Sequence, residues 1–173
     1  MKNSYSLING WYELIFRDKK TKNVEHKIRG HNLITYQGAD ILAKLLSGNI
    51  AYKIGYIYGE HAPDGTYGPS HGLTPSRSDT VDSMEDIGVG RTSENARVPV
   101  IYPGFNADIN YNNNIVNFSA SFSDAILDNR QFVGIGLVAK VGATDLLFSH
   151  DYYPTKLKAV NHEIVVVYSV QFI

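Results

Sequence analysis

The sequence contains no cysteine. A chain without thiols cannot form disulfide bonds, use a cysteine nucleophile or bind zinc through thiolates. It also has no excess of charge of either sign, because 16 basic and 17 acidic residues give a net charge of −1. We therefore expect no nucleic-acid partner, since binding to phosphates depends on clustered lysine and arginine.

Long apolar runs are missing as well. No stretch approaches the ~18 apolar residues of a membrane-spanning helix, and the N-terminus has no secretion-signal pattern. We therefore expect no membrane partner. The six histidines form no close metal-ligand spacing such as His-Glu-x-x-His. His61 and His71 share a loop with Glu60, Asp64 and Asp79, but the sequence favours neither a metal nor another cofactor.

Residues typical of β-structure are abundant. The chain has 12 tyrosines, 7 phenylalanines and 15 glycines, which favour pleated strands and the turns between them. Segments with strand-like patterns occupy residues 11–16, 24–28, 51–58, 98–102, 105–111, 115–122, 132–138, 146–149 and 163–173. They predict a mainly β fold, an antiparallel β-sandwich or jelly-roll-like domain. In the last segment Val165 and Val167 alternate with other apolar residues, which predicts burial on both faces.

One segment has a helical period instead. Residues 36–47 are predicted to form a short amphipathic helix, with Thr35 as its N-cap and Gly48 ending it in a left-handed conformation. Its apolar residues recur at the i, i+3, i+4 spacing of one helix face. The residues expected to pack on the core are Ile41, Leu42, Leu45 and Leu46.

The region from 59 to 97 is a long loop rich in Gly, Pro, Ser, Thr, Asp and His. Loops of this length are uncommon in compact domains unless they bind something or dock on a neighbour, so this loop is either a flexible insertion or a contact between subunits. We therefore divide the chain into an N-terminal arm, 1–9, and a single domain, 10–173, with the loop 59–97 inserted in it. The residues predicted to contact other subunits are Tyr67, His71, Leu73, Val81, Met84 and Ile87.

Three segments carry a family resemblance. They are His31-Asn-Leu-Ile-Thr35 with its continuation to Leu45-Leu-Ser-Gly48, then Ile54-Gly-Tyr-Ile-Tyr-Gly59, then Phe132-Val-Gly-Ile-Gly-Leu-Val138 with the strands after it. Together they resemble segments of small structural proteins of tailed-bacteriophage virions, such as those of the tail, baseplate, neck or head.

This resemblance implies a non-enzymatic assembly, adaptor or decoration protein of the virion. Its expected partners are copies of itself and other virion proteins, and it would be assembled in the host cytoplasm. A place in the tail, neck or baseplate fits the resemblance slightly better than the capsid surface.

Two other classes of function remain open from the residues. The first is a receptor- or carbohydrate-binding module that uses exposed tyrosines such as Tyr67, Tyr152 and Tyr153 as stacking platforms. The second is a hydrolase that uses as a general base either His150, with its imidazole oriented by Asp151, or His162. No nucleophile motif accompanies either histidine.

Overall fold

The computed structural model describes residues 8–62, 74–81, 96–99, 115–123 and 127–172. The strands are β1 (Ile8–Asp18), β2 (Val24–His31), β3 (Leu33–Ile34), β4 (Ile54–Ala62), β5 (Ala96–Pro99), β6 (Ile115–Phe122), β7 (Gln131–Val141), β8 (Thr144–Leu157) and β9 (His162–Phe172). Between β3 and β4 lie the helix α1 (Tyr36–Leu46) and a short 3₁₀ helix, Ile50–Tyr52.

The strands form two antiparallel sheets that pack face to face. Sheet A has the strand order β2-β1-β9-β6, and sheet B has the order β3-β8-β7-β4-β5. Inward-facing residues of both sheets share one hydrophobic core, among them Leu14 and Val166 of sheet A and Ile57 and Leu137 of sheet B. The prediction of a mainly β, sandwich-like fold is therefore confirmed, while the jelly-roll connection stays a prediction.

Buried and partly exposed residues alternate along β1, so the strand has one face toward the core and one toward solvent. Tyr12, Leu14 and Phe16 are buried in the core, whereas Trp11 and Glu13 face outward and are only partly buried. This is the period-two pattern of a strand with one covered face. The predicted hairpin of β1 and β2 is present, with Leu14 opposite Ile28.

The helix α1 covers the edge of β8. Thr35 is the N-cap as predicted: its side-chain oxygen accepts a hydrogen bond from Gly38 N at 2.8 Å, and its hydroxyl donates to Leu147 O. Gly38 lies so close to β8 that a Cβ there would be 2.0 Å from Phe148 O. The helix thus occupies backbone groups of β8 that an open sheet edge would leave unpaired.

The predicted core face of α1 is correct in three of its four residues. Ile41 is fully buried, and Leu42 and Leu45 pack against the core. The prediction for Leu46 is wrong, because its side chain is 81% exposed. With 3.6 residues per turn, Leu46 lies about 140° around the helix from Ile41, whereas Leu45 lies only about 40° away.

The boundaries of the predicted arm and loop also change. Strand β1 already pairs with β9 at Ile8 and Asn9, so the arm can extend only through residue 7. Strand β4 runs to Ala62 and β5 begins at Ala96, which narrows the connection to 63–95. The ends of these strands are set by backbone hydrogen bonds to the neighbouring strands, and the pattern of side chains in the sequence does not reveal them. The segment 105–111 lies outside the described residues.

The outer face of sheet A differs from the prediction for the last strand. Val165 and Val167 are half buried, whereas Ile164 and Val166 on the opposite face are fully buried. Full burial of both faces requires a second layer over the sheet, and none of the described elements covers this face enough to supply it.

Candidate functional site

The predicted subunit-contact residues lie mostly outside the described part of the chain. This applies to Tyr67, His71, Leu73, Met84 and Ile87. The remaining one, Val81, is only 4% exposed and packs in a second apolar cluster with Tyr58, Val138 and Leu147. Its predicted role in contacting another subunit is therefore wrong, because the side chain is already covered within its own chain.

The described middle of the long connection, residues 74–81, is anchored to the domain. Arg77 O accepts a hydrogen bond from Tyr36 N at 2.7 Å, at the first residue of α1. The guanidinium of Arg77 lies 4.8 Å from the centre of the Tyr36 ring, within the range of a cation–π contact. This segment therefore ties the long connection to the start of the helix.

A buried histidine holds the same segment to sheet B. His150 of β8 is fully buried, and its Nε2 lies 3.1 Å from Asp79 Oδ2 and 3.3 Å from Ser76 O. Both neighbours are acceptors, so Nε2 carries the proton that is shared between them. The Tyr152 ring meets the imidazole edge-on, with 5.5 Å between ring centres.

Burial lowers the pKa of His150, and the carbonyl of Ser76 and the carboxylate of Asp79 offset part of this effect. The imidazole is therefore neutral near pH 7. Among the described residues none forms a hydrogen bond with Nδ1. With Nε2 protonated, the basic nitrogen is Nδ1, and because that atom is buried, a general-base role would require the surrounding structure to open.

The predicted orientation of His150 by Asp151 is wrong, because adjacent residues of β8 point to opposite faces of the sheet. Asp151 faces the core side, where its Oδ2 accepts a hydrogen bond from Tyr12 Oη at 2.8 Å. His162, the other histidine considered, lies 2.9 Å from Glu25 Oε1. The carbonyl of Val160 and the carboxylate of Glu25 raise the pKa of His162.

Polar side chains connect the two sheets near this point. The Tyr12–Asp151 hydrogen bond joins sheet A to sheet B, and a second one joins Ser149 Oγ to Tyr168 Oη at 2.8 Å. Asn32 Nδ2 donates to the same Ser149 Oγ at 3.0 Å. This network lies between the sheets and is buried only in part, and its geometry serves their packing.

The tyrosines predicted as stacking platforms do not form one. Tyr152 and Tyr153 are buried, the first beside His150 and the second against the Tyr12 ring, and Tyr67 lies outside the described residues. Tyrosine is amphipathic and suits either a surface or a core, so its presence in a strand does not predict exposure.

Within the described ranges, acidic residues and histidines form no cluster of three or more that could bind a metal ion. Of the residues considered for the loop site, Asp79 contacts His150 and Glu60 is buried in β4. Asp64 and His71 lie outside those ranges, as does the His61 side chain. No helix in the described residues is long and apolar enough to cross a membrane.

An open groove lies on the outer face of sheet A. It has a volume of about 520 Å³. It is lined by residues 11–13 near the start of β1, by residues 29–31 at the end of β2, and by Val167 and Ser169 of β9. The side chains that give it chemical character are those of Trp11, Glu13, Arg29, His31 and Ser169. Its size falls within the range of small-molecule sites, which is roughly 300–1,000 Å³.

Ion pairs fix the polar side of this groove. Glu13 lies between two cations, with Arg29 Nε at 2.7 Å and Lys27 Nζ at 3.1 Å. Hydrogen bonds from Arg29 and Lys27 lower the pKa of Glu13, so the carboxylate is ionised at neutral pH. Arg29 remains 72% exposed and presents the rest of its guanidinium to solvent.

Sequence reasoning missed Trp11, Glu13 and Arg29 as site residues. A signal was present, because the alternation that buries Tyr12 and Leu14 places Trp11 on the polar face of the strand. The only tryptophan of the chain, on the outward face of a strand, is a candidate contact residue.

A second exposed feature follows the helix. Leu46, at the end of α1, and Ile50, at the start of the 3₁₀ helix, are 81% and 80% exposed. The turn between them contains Gly48 with φ of 88°, the left-handed conformation predicted for this glycine. We call Leu46 and Ile50 the apolar corner.

Comparison of the sequence with known families and with curated proteins, and of the fold with solved structures, finds no match.

Proposed function

We propose that this chain is a non-catalytic structural component of a tailed-phage virion. It acts through contacts with copies of itself and with other virion proteins, as an assembly, adaptor or decoration protein. The observation that carries the proposal is the apolar corner: Leu46 is exposed at the end of the segment that contributes the first part of the phage-protein resemblance, and Ile50 is exposed just after that segment.

Exposure of these two side chains to water has a cost in free energy. Burying a leucine or isoleucine side chain contributes about 1.5–3 kcal/mol, so Leu46 and Ile50 leave this energy unused in the isolated domain. Two such side chains give only a weak contact between single copies. Repetition in a multi-copy particle raises the effective concentration and turns weak contacts into a stable assembly.

The experiment is incorporation into particles. We expect particles purified from a lysate that expresses the chain to contain it at a fixed stoichiometry. We expect the double variant L46S/I50S to be incorporated in smaller amounts. The matched control is V24S/V160S, because Val24 and Val160 are aliphatic residues about half exposed on other elements. Absence of the wild-type chain from purified particles overturns the virion assignment, and equal incorporation of both double variants overturns the role of the apolar corner.

A further inference from the structure

The groove on the outer face of sheet A combines an aromatic ring with charged groups that are already paired. Trp11 and Val167 supply its apolar part, and Ser169 and His31 add polar groups beside them. Its one carboxylate, Glu13, is paired with Arg29 in the groove and with Lys27 beside it. An anionic ligand would compete with Glu13 for these cations and a cationic ligand would compete with them for Glu13, whereas a neutral ligand can form hydrogen bonds without breaking the ion pairs.

A neutral ligand that fits these groups needs two kinds of surface. It needs an apolar face to lie on the indole, and a rim that both donates and accepts hydrogen bonds. The ionised carboxylate of Glu13 accepts only, and the guanidinium of Arg29 donates only. A sugar ring has both surfaces, with C–H groups on one face and hydroxyl groups around its rim.

We propose that this groove binds a neutral saccharide. The sugar ring stacks on the Trp11 indole, its hydroxyl groups donate to the Glu13 carboxylate, and Arg29 donates to its oxygens. This binding site is independent of the apolar corner, which lies on a different element of the fold.

The groove is built on ordered structure, which reduces the cost of binding. Trp11 lies on β1, which pairs on both sides, opposite His31 of β2 and Ser169 of β9. The Ser169 hydroxyl is oriented by its hydrogen bond to Asn117 Oδ1 at 2.7 Å. Side chains that are already held in place lose little freedom when a ligand binds.

The test uses the single tryptophan as its own reporter. The full chain is titrated with glucose, galactose, N-acetylglucosamine and their short oligomers, while Trp11 fluorescence and saturation-transfer NMR of the sugar are recorded. We expect a saturable change for at least one of these sugars, with a dissociation constant on the order of 1 mM or below. Glucuronate and glucosamine, which carry charge, are expected to bind more weakly than their neutral counterparts.

Variants separate the groove from nonspecific binding. W11A and E13A are each expected to weaken saccharide binding about tenfold or more by NMR. L46S, which changes a remote exposed residue, is the control and keeps wild-type affinity. Circular dichroism verifies the fold of each variant, and E13A tests the groove even if W11A unfolds. The proposal is overturned if no neutral sugar gives a saturable response by either method, or if E13A binds as the wild type does.

Discussion

The imidazole of His150 has no exposed surface, and it contacts Asp79 and Ser76 of the segment that crosses over β8. Burial lowers its pKa, so the folded state accepts a proton less readily than the unfolded chain does. Below the unfolded pKa of about 6.5 the unfolded chain binds more protons, and stability falls as the pH decreases. Above that pH the contribution of His150 is fully present.

This direction of the pH dependence of stability gives a testable prediction for the variant H150Q. Glutamine keeps a donor in place of Nε2 but does not titrate. We expect the wild type to lose more of its free energy of unfolding than H150Q does between about pH 7.5 and about pH 5. Urea unfolding at a series of pH values measures the difference, and parallel pH profiles for the two proteins would contradict the prediction.

Gly38 shows a second effect of single residues. In an ordinary helix, Gly→Ala stabilises by about 0.5–1 kcal/mol. Here the added Cβ would lie 2.0 Å from Phe148 O, so α1 would have to move away from β8. We expect G38A to lower the free energy of unfolding by about 1–3 kcal/mol, as overpacking does.

The matched control for this substitution is G55A, because a Cβ at Gly55 meets no atom within 4 Å. Its expected effect is between zero and a stabilisation of about 1 kcal/mol. Denaturant unfolding at neutral pH measures both variants. If G38A is as stable as G55A, the close packing of α1 on β8 is wrong.

At the scale of elements, α1 lies at the edge of sheet B and packs on the hydrophobic core with only one of its faces. Ile41 is fully buried and Leu46 is exposed, although both belong to the apolar set of the helix. We expect I41A to cost about 2–5 kcal/mol and L46A to change stability by less than about 0.5 kcal/mol. Thermal or urea unfolding measures both, and a cost for L46A near that of I41A would return Leu46 to the core.

The strands and the helix were predictable because each has a local signal. Period-two alternation marks β1 and β6, and the i, i+3, i+4 spacing marks α1. Pairing has no comparable signal: β1 lies between β2, its neighbour in sequence, and β9, from the far end of the chain. The order of strands in a sheet depends on which strand faces are buried against each other in the folded chain.

The candidate sites were less predictable for the same reason. Val81 and Tyr152 occur in polar or mixed sequence and read as surface residues, but each is covered by another part of the chain. Val165 and Val167 show the reverse, since an apolar strand implied two covered faces and one is only half covered. Exposure depends on the neighbouring layer, and a single segment does not encode that layer.

For the whole molecule, the decisive contact is that between the two sheets. Most of it is apolar, but Tyr12 of sheet A donates to Asp151 of sheet B within a partly buried environment. Burial raises the pKa of Asp151, while the Tyr12 hydrogen bond opposes that rise. The hydroxyl of Tyr12 therefore stabilises a carboxylate that the core would otherwise disfavour.

We expect Y12F to lower the free energy of unfolding by about 1–3 kcal/mol, because it leaves a partly buried carboxylate without its donor. Y36F is the control, since Tyr36 is largely exposed, and it should change stability by less than about 0.5 kcal/mol. The double variant Y12F/D151L removes both partners, so its loss should be smaller than the sum of the two single losses. A double-mutant cycle from urea unfolding at neutral pH measures this coupling. Additive losses would mean that the hydrogen bond contributes nothing to holding the sheets together, and that their apolar core alone determines the packing.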